Sequence, residues 1–596
     1  MCGLSGWQIA PSLVQTFRPQ AEAFTLSQLH RGPDSTGAFH SKNEHVYLGH
    51  NRLSIIDLTG AANQPMLSVN GDALILNGEI YNYQSLKKDL QALGHQFHTE
   101  SDTEVALMAY LEWGTEFTNK LNGMYAIAIW DSSANCVHLF RDPMGIKPLY
   151  YWSMPNNNGV AFASEIKSFL SLPGFTPTAS NNSLNQFIEF GYSISATGTI
   201  FSGIKKLQPG HRLKIQNNQA SLQQRFYTPV VKKTVKSGAP NTHAALEDEL
   251  YTTLIKVVDE HLIADVPVGL LLSGGLDSSL IAALASKKEK IHTFSMAFAD
   301  AEFDERPFAR MVSEHIGSHH HEILIQPEEV LESIASAVIH FDDLFADWGM
   351  ISTRLLYKKC AENNIKVVLV GEGADELFGG YPIFKEAFKR QSAPMEWRIF
   401  QLYRRYAGRR YGGQFWQFRS IFKDYLKQSN NDFFNAIRLF ETRNQVPNNY
   451  VMKVDKASMS VSLEARTPFL DSRIADLAYQ IQQDQLISHN DEKLILKSIA
   501  TRDNLLPEEI INRRKFGAGI ATNWMDDSPS FRQYAREIIL APNSWVDRLN
   551  LRDAMQRYFD DGQAGFAFPR SISLFSNLAW RLLILSLWSE KMGVSA

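Results

Sequence analysis

The sequence predicts two folds in one chain: an α+β amino-terminal half of layered sheets and an α/β carboxyl-terminal half built on a parallel sheet. Three observations carry that reading. Between Tyr47 and Phe162, short apolar runs (Ala73–Leu76, Tyr125–Trp130, Val137–Phe140) are bounded by Asn, Gly, Asp and Pro. That is the texture of strands in stacked sheets. After residue 244 the texture changes to longer helical stretches. These alternate with the apolar runs Val266–Leu272 and Val367–Val370, each ending in a glycine-bearing loop, as strands buried on both faces of a parallel sheet do. Between the halves, residues 216–243 are poor in apolar side chains and rich in Gln, Asn, Lys and Thr, which suits a surface connection. The expected domains are therefore 1–215 and 244–596, joined by a linker at 216–243. At 596 residues the chain is also too long for one core.

The first element begins at once: Met1-Cys2-Gly3-Leu4 places a thiol one removable methionine from the amino terminus. Trimming Met1 would leave Cys2 with a nucleophilic sulfur and a free α-amine. That amine titrates near about pH 8, which suits a base serving the neighbouring thiol. Tyr83–Leu93 and Glu104–Trp113 are expected as helices among the strands. Late in the chain, Trp580–Trp588 is apolar but short, interrupted by Arg581 and Ser586, so it is expected as a core helix and not a membrane span. A formal charge of −4 gives no electrostatic reason to expect nucleic acid or an anionic membrane as partner. The three cysteines, Cys2, Cys136 and Cys360, make no disulfide framework and fit a reducing cytoplasm. No secretory leader is expected before Cys2.

The strongest chemical signal is Ser273-Gly274-Gly275-Leu276-Asp277-Ser278-Ser279, lying between the first buried strand and a helix expected from near Leu280. Paired glycines let the backbone bend and expose consecutive N–H groups, while the following helix points its positive end into the loop. The serine hydroxyls add donors, and Asp277 can hold magnesium against phosphate oxygens. A G-x-x-x-x-G-K-[ST] sequence is absent, so the loop is not of the γ-phosphate-transferring type. The second strand ends in Gly371-Glu372-Gly373-Ala374-Asp375-Glu376, followed by Gly379-Gly380-Tyr381. Loops at the carboxyl ends of neighbouring parallel strands converge on one crevice. Asp375 is thus expected as a second magnesium ligand opposite Asp277, and Glu372 as a base or amine-positioning group.

These two loops, with Leu463-Glu464-Ala465-Arg466-Thr467-Pro468-Phe469-Leu470-Asp471, resemble the glutamine-dependent asparagine synthetase family. The first half is similar to that family's amino-terminal-nucleophile glutaminase through Met1-Cys2-Gly3, Arg31-Gly32-Pro33-Asp34, Asn51-Arg52-Leu53-Ser54, Asn77-Gly78-Glu79-Ile80-Tyr81-Asn82, Ser101-Asp102 and Arg141-Asp142-Pro143. The resemblance covers nearly the whole chain, in order. It implies an αββα glutaminase sandwich joined to an ATP-pyrophosphatase domain of the adenine nucleotide alpha hydrolase type. It also implies residue roles. The Cys2 thiolate attacks the glutamine side-chain amide, and Asn77 with the Gly78 N–H holds the oxyanion. Arg52 pairs with the α-carboxylate, Asp102 accepts from the α-amine, and Glu79 adds polar contacts. ATP would lie on Ser273, Gly274, Gly275, Asp277, Ser278 and Gly371, flanked by Leu271 and Met296. Lys493 would neutralise charge at the α-phosphate, and channelled ammonia would attack the acyl-adenylate. The implied cofactors are ATP, as substrate, and Mg2+. The implied partners are small molecules, with a homodimer left open.

Several features are expected to play no chemical part. His319-His320-His321 alternates faces along a strand, Cys136 and Cys360 read as buried and inert, and the Arg-Tyr-Gly clusters of 397–425 read as a solvated helical surface. Other segments depart from the family pattern: Phe345–Met350, Arg513–Ile520, Ser462 where glycine is usual, and Thr467 where valine is usual. Those positions are expected near the acceptor carboxylate. Aspartate is the leading acceptor, and another carboxylate such as a sugar uronate is the alternative. A phosphoribosyl or sugar-isomerase partner domain is excluded by S-G-G-L-D-S, and Cys2 argues against a lactam-forming relative.

Overall fold

The computed structural model describes residues 2–229, 231, 240–298, 304–407, 413–513, 528–560 and 574–594. Among the described residues, thirteen strands occupy the first part: β1 (Cys2–Ile9), β2 (Ser35–His40), β3 (Val46–Arg52), β4 (Met66–Leu67), β5 (Ala73–Ile80), β6 (Gly123–Asp131), β7 (Cys136–Arg141), β8 (Tyr150–Ser153), β9 (Gly159–Ala163), β10 (Ile204–Lys206), β11 (His211–Gln216), β12 (Gln219–Ala220) and β13 (Gln224–Arg225). They form two antiparallel sheets, ordered β10-β8-β9-β1-β3-β2 and β12-β11-β7-β6-β5-β4, with β13 pairing β11.

Strand alternation decides what each face carries. Leu4 of β1, Val46 and Leu48 of β3, Ala73 and Ile75 of β5, Ala126 and Ala128 of β6, and Val160 and Phe162 of β9 join one buried cluster drawn from both sheets. This is the interior of the sandwich. The opposite face of β1 and β3 is covered by helices: Trp7 meets Phe17 at 5.5 Å and Phe24 at 5.8 Å between ring centroids. The expected helices run Tyr83–Ala92 and Asp102–Trp113 and cover the other sheet. Helix, sheet, sheet and helix are thus layered as anticipated. The second sheet continues past residue 215, because β12 and β13 pair with β11. Residues 216–225 therefore belong to the sandwich and not to the connection. Residues 230 and 232–239 of the expected linker lie outside the described residues.

The carboxyl-terminal half holds a five-stranded sheet ordered β16-β15-β14-β17-β18. Its strands are β14 (Val268–Leu271), β15 (His292–Phe298), β16 (His319–Ile325), β17 (Val367–Leu369) and β18 (Glu464–Arg466). Every pairing is parallel. The chain winds outward from β14 to β16, then returns to the other side of β14, so the strand order reverses between β14 and β17. Ligands of open α/β sheets bind at such a switch point. The helix after β14 starts at Leu276, not near Leu280. Gly275 takes the cap position, and Asp277 and Ser278 enter the first turn, where the positive end of the helix lies.

The two halves pack against each other extensively. Lys206 Nζ donates to Asn448 Oδ1 at 3.0 Å, Arg581 Nη1 to the Ile188 carbonyl at 2.7 Å, and the Asp57 N–H to Asp265 Oδ2 at 2.7 Å. The late apolar stretch lies in a helix, Leu574–Met592, whose Trp580 and Trp588 are buried. No described helix is long and apolar enough to cross a membrane.

Candidate active site

The alternation that builds the sandwich interior also builds the first site. Beyond Leu4, β1 carries Cys2 on the inward face; beyond Val46 and Leu48, β3 carries His50 and Arg52; beyond Ala73 and Ile75, β5 carries Asn77 and Glu79. Cys2 lies opposite Arg52 in the ladder, and Leu4 opposite His50. Apolar stripes therefore turn polar at one end of the sandwich, where a small cavity is lined by Cys2, Arg52, Gly78, Glu79, Ser101 and Asp102.

Cys2 is buried, and burial alone would push its thiol up. The His50 ring beside it, the amino-terminal charge and the Leu53 N–H outweigh that and bring the thiol down to about 6. Most of it is therefore thiolate at neutral pH. The Cys2 N–H donates to Asn77 Oδ1 at 3.1 Å, while Asn77 Nδ2 donates one hydrogen to Ser164 Oγ at 3.3 Å. An amide nitrogen carries two hydrogens, so the second is left over for a ligand. Gly78 has φ +153 and sits so close to the Met124 carbonyl that a side chain there would lie 2.0 Å from it.

Arg52 is only 4% exposed. Its guanidinium donates to the carbonyls of Thr59, Ile56 and Asp57 and to Asn63 Oδ1. Among the described residues no carboxylate lies within ion-pair distance of it, so it is a buried cation held by neutral oxygens. Asp102 Oδ2 accepts from the Ile80 N–H at 3.0 Å, and burial raises its carboxyl. Arg52 and Asp102 do not pair with each other. The cavity is thus lined by a thiolate, a buried cation and a carboxylate around one small volume.

Two residues near Cys2 lay outside the sequence reading. His50 could have been found as the member of the Val46, Leu48, His50, Arg52 stripe next to Arg52. Arg31, although quoted within a motif, shows its use only in the fold. Its Nε donates to the Cys2 carbonyl at 3.0 Å, and its Nη2 reaches Asp455 at 2.9 Å across the domain boundary.

The second site lies at the switch point. Gly274 has φ +68, and a side chain there would stand 2.6 Å from the Ala309 nitrogen, so only glycine lets the loop pass. Ser273 Oγ and Ser278 Oγ lie 3.1 Å apart, and Gly275 N–H donates to Ser273 Oγ at 3.3 Å. Gly371, ending the neighbouring strand, presses against the Ser278 backbone, bringing the two loops into contact. Lys493 Nζ sits between Asp277 Oδ2 at 2.5 Å and Asp375 Oδ1 at 2.6 Å. Burial works against the ammonium, yet the two carboxylates win and hold it charged. Leu271 ends β14, Met296 lies on β15, and both are half-buried. Glu372 heads the loop after β17, half-buried, and its charge reaches the buried Tyr357 hydroxyl. A residue outside the expected set, Arg513, closes over the loop: its Nη1 donates to the Gly274 carbonyl at 3.0 Å and its Nη2 pairs with Glu305 at 2.7 Å. Residues 514–520 of the same segment lie outside the described residues.

The Asp277–Asp375 pair fits magnesium in kind, since that ion takes hard oxygen donors and is held by one or two carboxylates together with substrate phosphates. Elsewhere, Asp131, Cys136 and His138 meet at the β6–β7 hairpin. The Asp131 oxygens there are already taken by Tyr110, Ser133 and Ala134. Of the three histidines of β16, two are spent on structure: His320 bonds Thr293 and Ser295, and His321 bonds His292, while His319 is exposed. Cys136 and Cys360 are buried with their thiols pushed up. Ser462 donates its hydroxyl to the His30 carbonyl at 2.7 Å, at the domain boundary.

Comparison with known proteins finds relatives of both halves of the chain. Residues 1–227 match the family model described as glutamine amidotransferase domain, and residues 249–590 match that described as asparagine synthase. The protein described as asparagine synthetase (glutamine-hydrolyzing) 1 of Bacillus subtilis (strain 168) is 31% identical, over 99% of this chain and 96% of its own. Asparagine synthetase (glutamine-hydrolyzing) 3 of the same organism is 30% identical over 86% of each chain. A putative asparagine synthetase (glutamine-hydrolyzing) of Mycobacterium tuberculosis (strain ATCC 25618 / H37Rv) is 28% identical over 99% of this chain and 97% of its own. With matches of this extent over both halves, the chain belongs to the asparagine synthase family, as an ATP-using ligase with an amino-terminal glutamine amidotransferase domain.

Proposed function

We propose that this protein is a cytoplasmic, glutamine-hydrolysing asparagine synthetase that uses ATP and Mg2+. The observation that carries the reading is the presence in one chain of both a thiolate facing an unpaired buried arginine and a lysine clamped by two carboxylates at a parallel-sheet switch point.

In the first site the α-carboxylate of glutamine pairs with the Arg52 cation, displacing protein oxygens from its Nη hydrogens, and its α-amine lies toward Asp102 and Glu79. The Cys2 thiolate adds to the side-chain amide carbon. The remaining hydrogen of Asn77 Nδ2 and the Gly78 N–H stabilise the oxyanion, donors of a kind each worth about 3 kcal/mol in the transition state. The C–N bond breaks, the nitrogen leaves as ammonia with a proton from the trimmed α-amine, and water then hydrolyses the thioester to glutamate.

In the second site an oxygen of the aspartate side-chain carboxylate attacks the α-phosphorus of ATP, the α–β bridging oxygen leaves with pyrophosphate, and an acyl-adenylate remains. The N–H groups and hydroxyls of Ser273–Ser278 receive the pyrophosphate. Lys493 offsets the charge that develops at the α-phosphate. Asp277 and Asp375 would hold magnesium, which supplies positive charge against the phosphate oxygens. Ammonia from the first site attacks the acyl carbon, AMP leaves, and asparagine forms. Glu372 takes the proton that the ammonia nitrogen gives up.

The test uses Cys2→Ala, which removes the sulfur and keeps a small residue after Met1. Glutamine-dependent product should vanish, since losing a nucleophile costs on the order of 10⁶, while ammonium chloride should still support synthesis. Wild-type rates from glutamine would reject Cys2 as nucleophile. Pyrophosphate release across a panel of carboxylates fixes the acceptor: stimulation by a uronate and not by aspartate would reject aspartate.

A further inference from the structure

Glu79 carries a feature that the reaction above leaves unused. It stands on β5 in the glutamine cavity, yet its partner comes from the other half of the chain, 387 residues away: Arg466 Nη2 donates to Glu79 Oε2 at 3.1 Å. The second oxygen, Glu79 Oε1, is buried with no hydrogen-bond partner. Arg466 is fully buried and bonded at every nitrogen. Its Nε donates to Glu464 Oε1 at 2.5 Å, and its Nη1 to the carbonyls of His261 and Ile263, both at 2.7 Å. A guanidinium pinned at every nitrogen fixes its partner's position closely.

The same residue touches the synthetase site through its backbone. Arg466 lies opposite Leu369 in the β17–β18 ladder, and its carbonyl accepts from the Val370 N–H at 2.9 Å, one residue before Gly371. Four residues further on, Leu470 packs on Gly373 within that loop. Arg466 therefore joins the glutamine cavity to the strand that ends in the adenylation loop.

The charged and titratable groups facing Glu79 are Asp102 from its own domain, Arg466 and Glu464 from β18, the amino-terminal charge, and the hydroxyls of Tyr81 and Tyr83. Burial and Asp102 together drive the Glu79 carboxyl well above its usual range, and Arg466 is the main group opposing them.

We propose that Arg466 is a positioning residue for glutamine: from the synthetase half it fixes Glu79 at the cavity wall, where Oε1 receives the substrate α-ammonium. The glutamine site is then composite, complete only with β18 in place. This rests on the amidotransferase reading given above.

The experiment measures glutamine hydrolysis by the full chain between pH 6 and 9 in the wild type, R466M, R466K, E79Q and the E79Q/R466M pair. R466M should raise the KM for glutamine at least about tenfold at pH 7, the loss of a hydrogen-bonded buried charge, with a much smaller effect on kcat. Its KM should depend on pH more steeply than that of the wild type, because losing the cation drives the Glu79 carboxyl further up. R466K should recover most of the affinity by restoring a cation. E79Q should raise KM without that pH dependence, and adding R466M to it should add little. A wild-type KM and pH profile in R466M, or a wild-type KM in E79Q should R466M fail to fold, overturns the inference. So does a loss in R466M that is independent of pH and unrescued by lysine, the signature of a merely structural role. A wild-type chain that does not hydrolyse glutamine would instead overturn the amidotransferase reading, and this inference with it.

Discussion

Gly380→Ala tests the adenylation site with the smallest change the structure offers. A methyl group at Gly380 would stand 1.9 Å from Asp375 Oδ1 and 2.1 Å from Lys493 Cε. Carbon contacts relax at about 3.5 Å, so the carboxylate and the lysine must each retreat by roughly 1.5 Å. Both atoms belong to side chains, so the backbone need not move and the fold should survive. The chemistry should not. Lys493 Nζ lies at 2.6 Å from Asp375, and a displacement of this size breaks that contact. Misplacement by about 1 Å at a reacting centre costs on the order of 10² in rate. Pyrophosphate formation with ammonium as nitrogen source should therefore fall about a hundredfold, while glutamine hydrolysis, which uses no residue near Gly380, stays within about twofold. The two assays run on one preparation, so loss of protein lowers both alike. Synthesis within threefold of wild type would refute the reasoning, because it would mean that the Asp277–Lys493–Asp375 arrangement has no geometric part in catalysis.

Asp277→Asn removes half of the charge that holds Lys493 and one of the two candidate magnesium ligands. ATP-to-pyrophosphate conversion should vanish with glutamine hydrolysis intact, and undiminished conversion would sink the assignment. Because the Cys2 thiol sits near 6, below its ordinary value, the thiolate is present above that pH and lost as pH falls through it. Alkylation of Cys2 by iodoacetamide, followed by mass spectrometry, should titrate near pH 6 while Cys136 and Cys360 stay unreactive at pH 7. A limb near pH 8–9 would remove His50 from its activating role. Asp455→Ala leaves Arg31 and Lys147 short of their shared buried partner. It should destabilise the chain by about 3 kcal/mol, at the low end for such losses because Glu165 still pairs Arg31 at 3.2 Å; an unchanged melting temperature would show that the interface tolerates the charge.

What the sequence made legible is what a short stretch of chain encodes by itself. Two glycines after an apolar run announce a loop, and S-G-G-L-D-S carries its donors within six residues, so the second site could be read before any fold was known. The start of its helix could not be placed, because Leu276–Ser279 reads equally well as loop or as first turn until Gly275 is seen capping it. The alternation Val46, Leu48, His50, Arg52 was also on view, but His50 drew no notice because a histidine in a strand is ordinary unless the opposing strand is known, and that strand is β1. The contacts that join the halves were not legible at all. Arg31 with Asp455 and Glu79 with Arg466 are separated by 424 and 387 residues, and no periodicity or spacing addresses one to the other. Their common physical feature is burial with full pairing: Arg31 and Arg466 show no exposed side chain, and each meets carboxylates on both of its sides. A buried arginine stripped of its partner is costly, while a paired one adds little net stability. What such pairs supply is registry. Cys2 is held at its carbonyl by Arg31, Glu79 at its carboxylate by Arg466, and both arginines also grip acidic side chains of the synthetase half, so the glutamine site is assembled by the domain that consumes its ammonia.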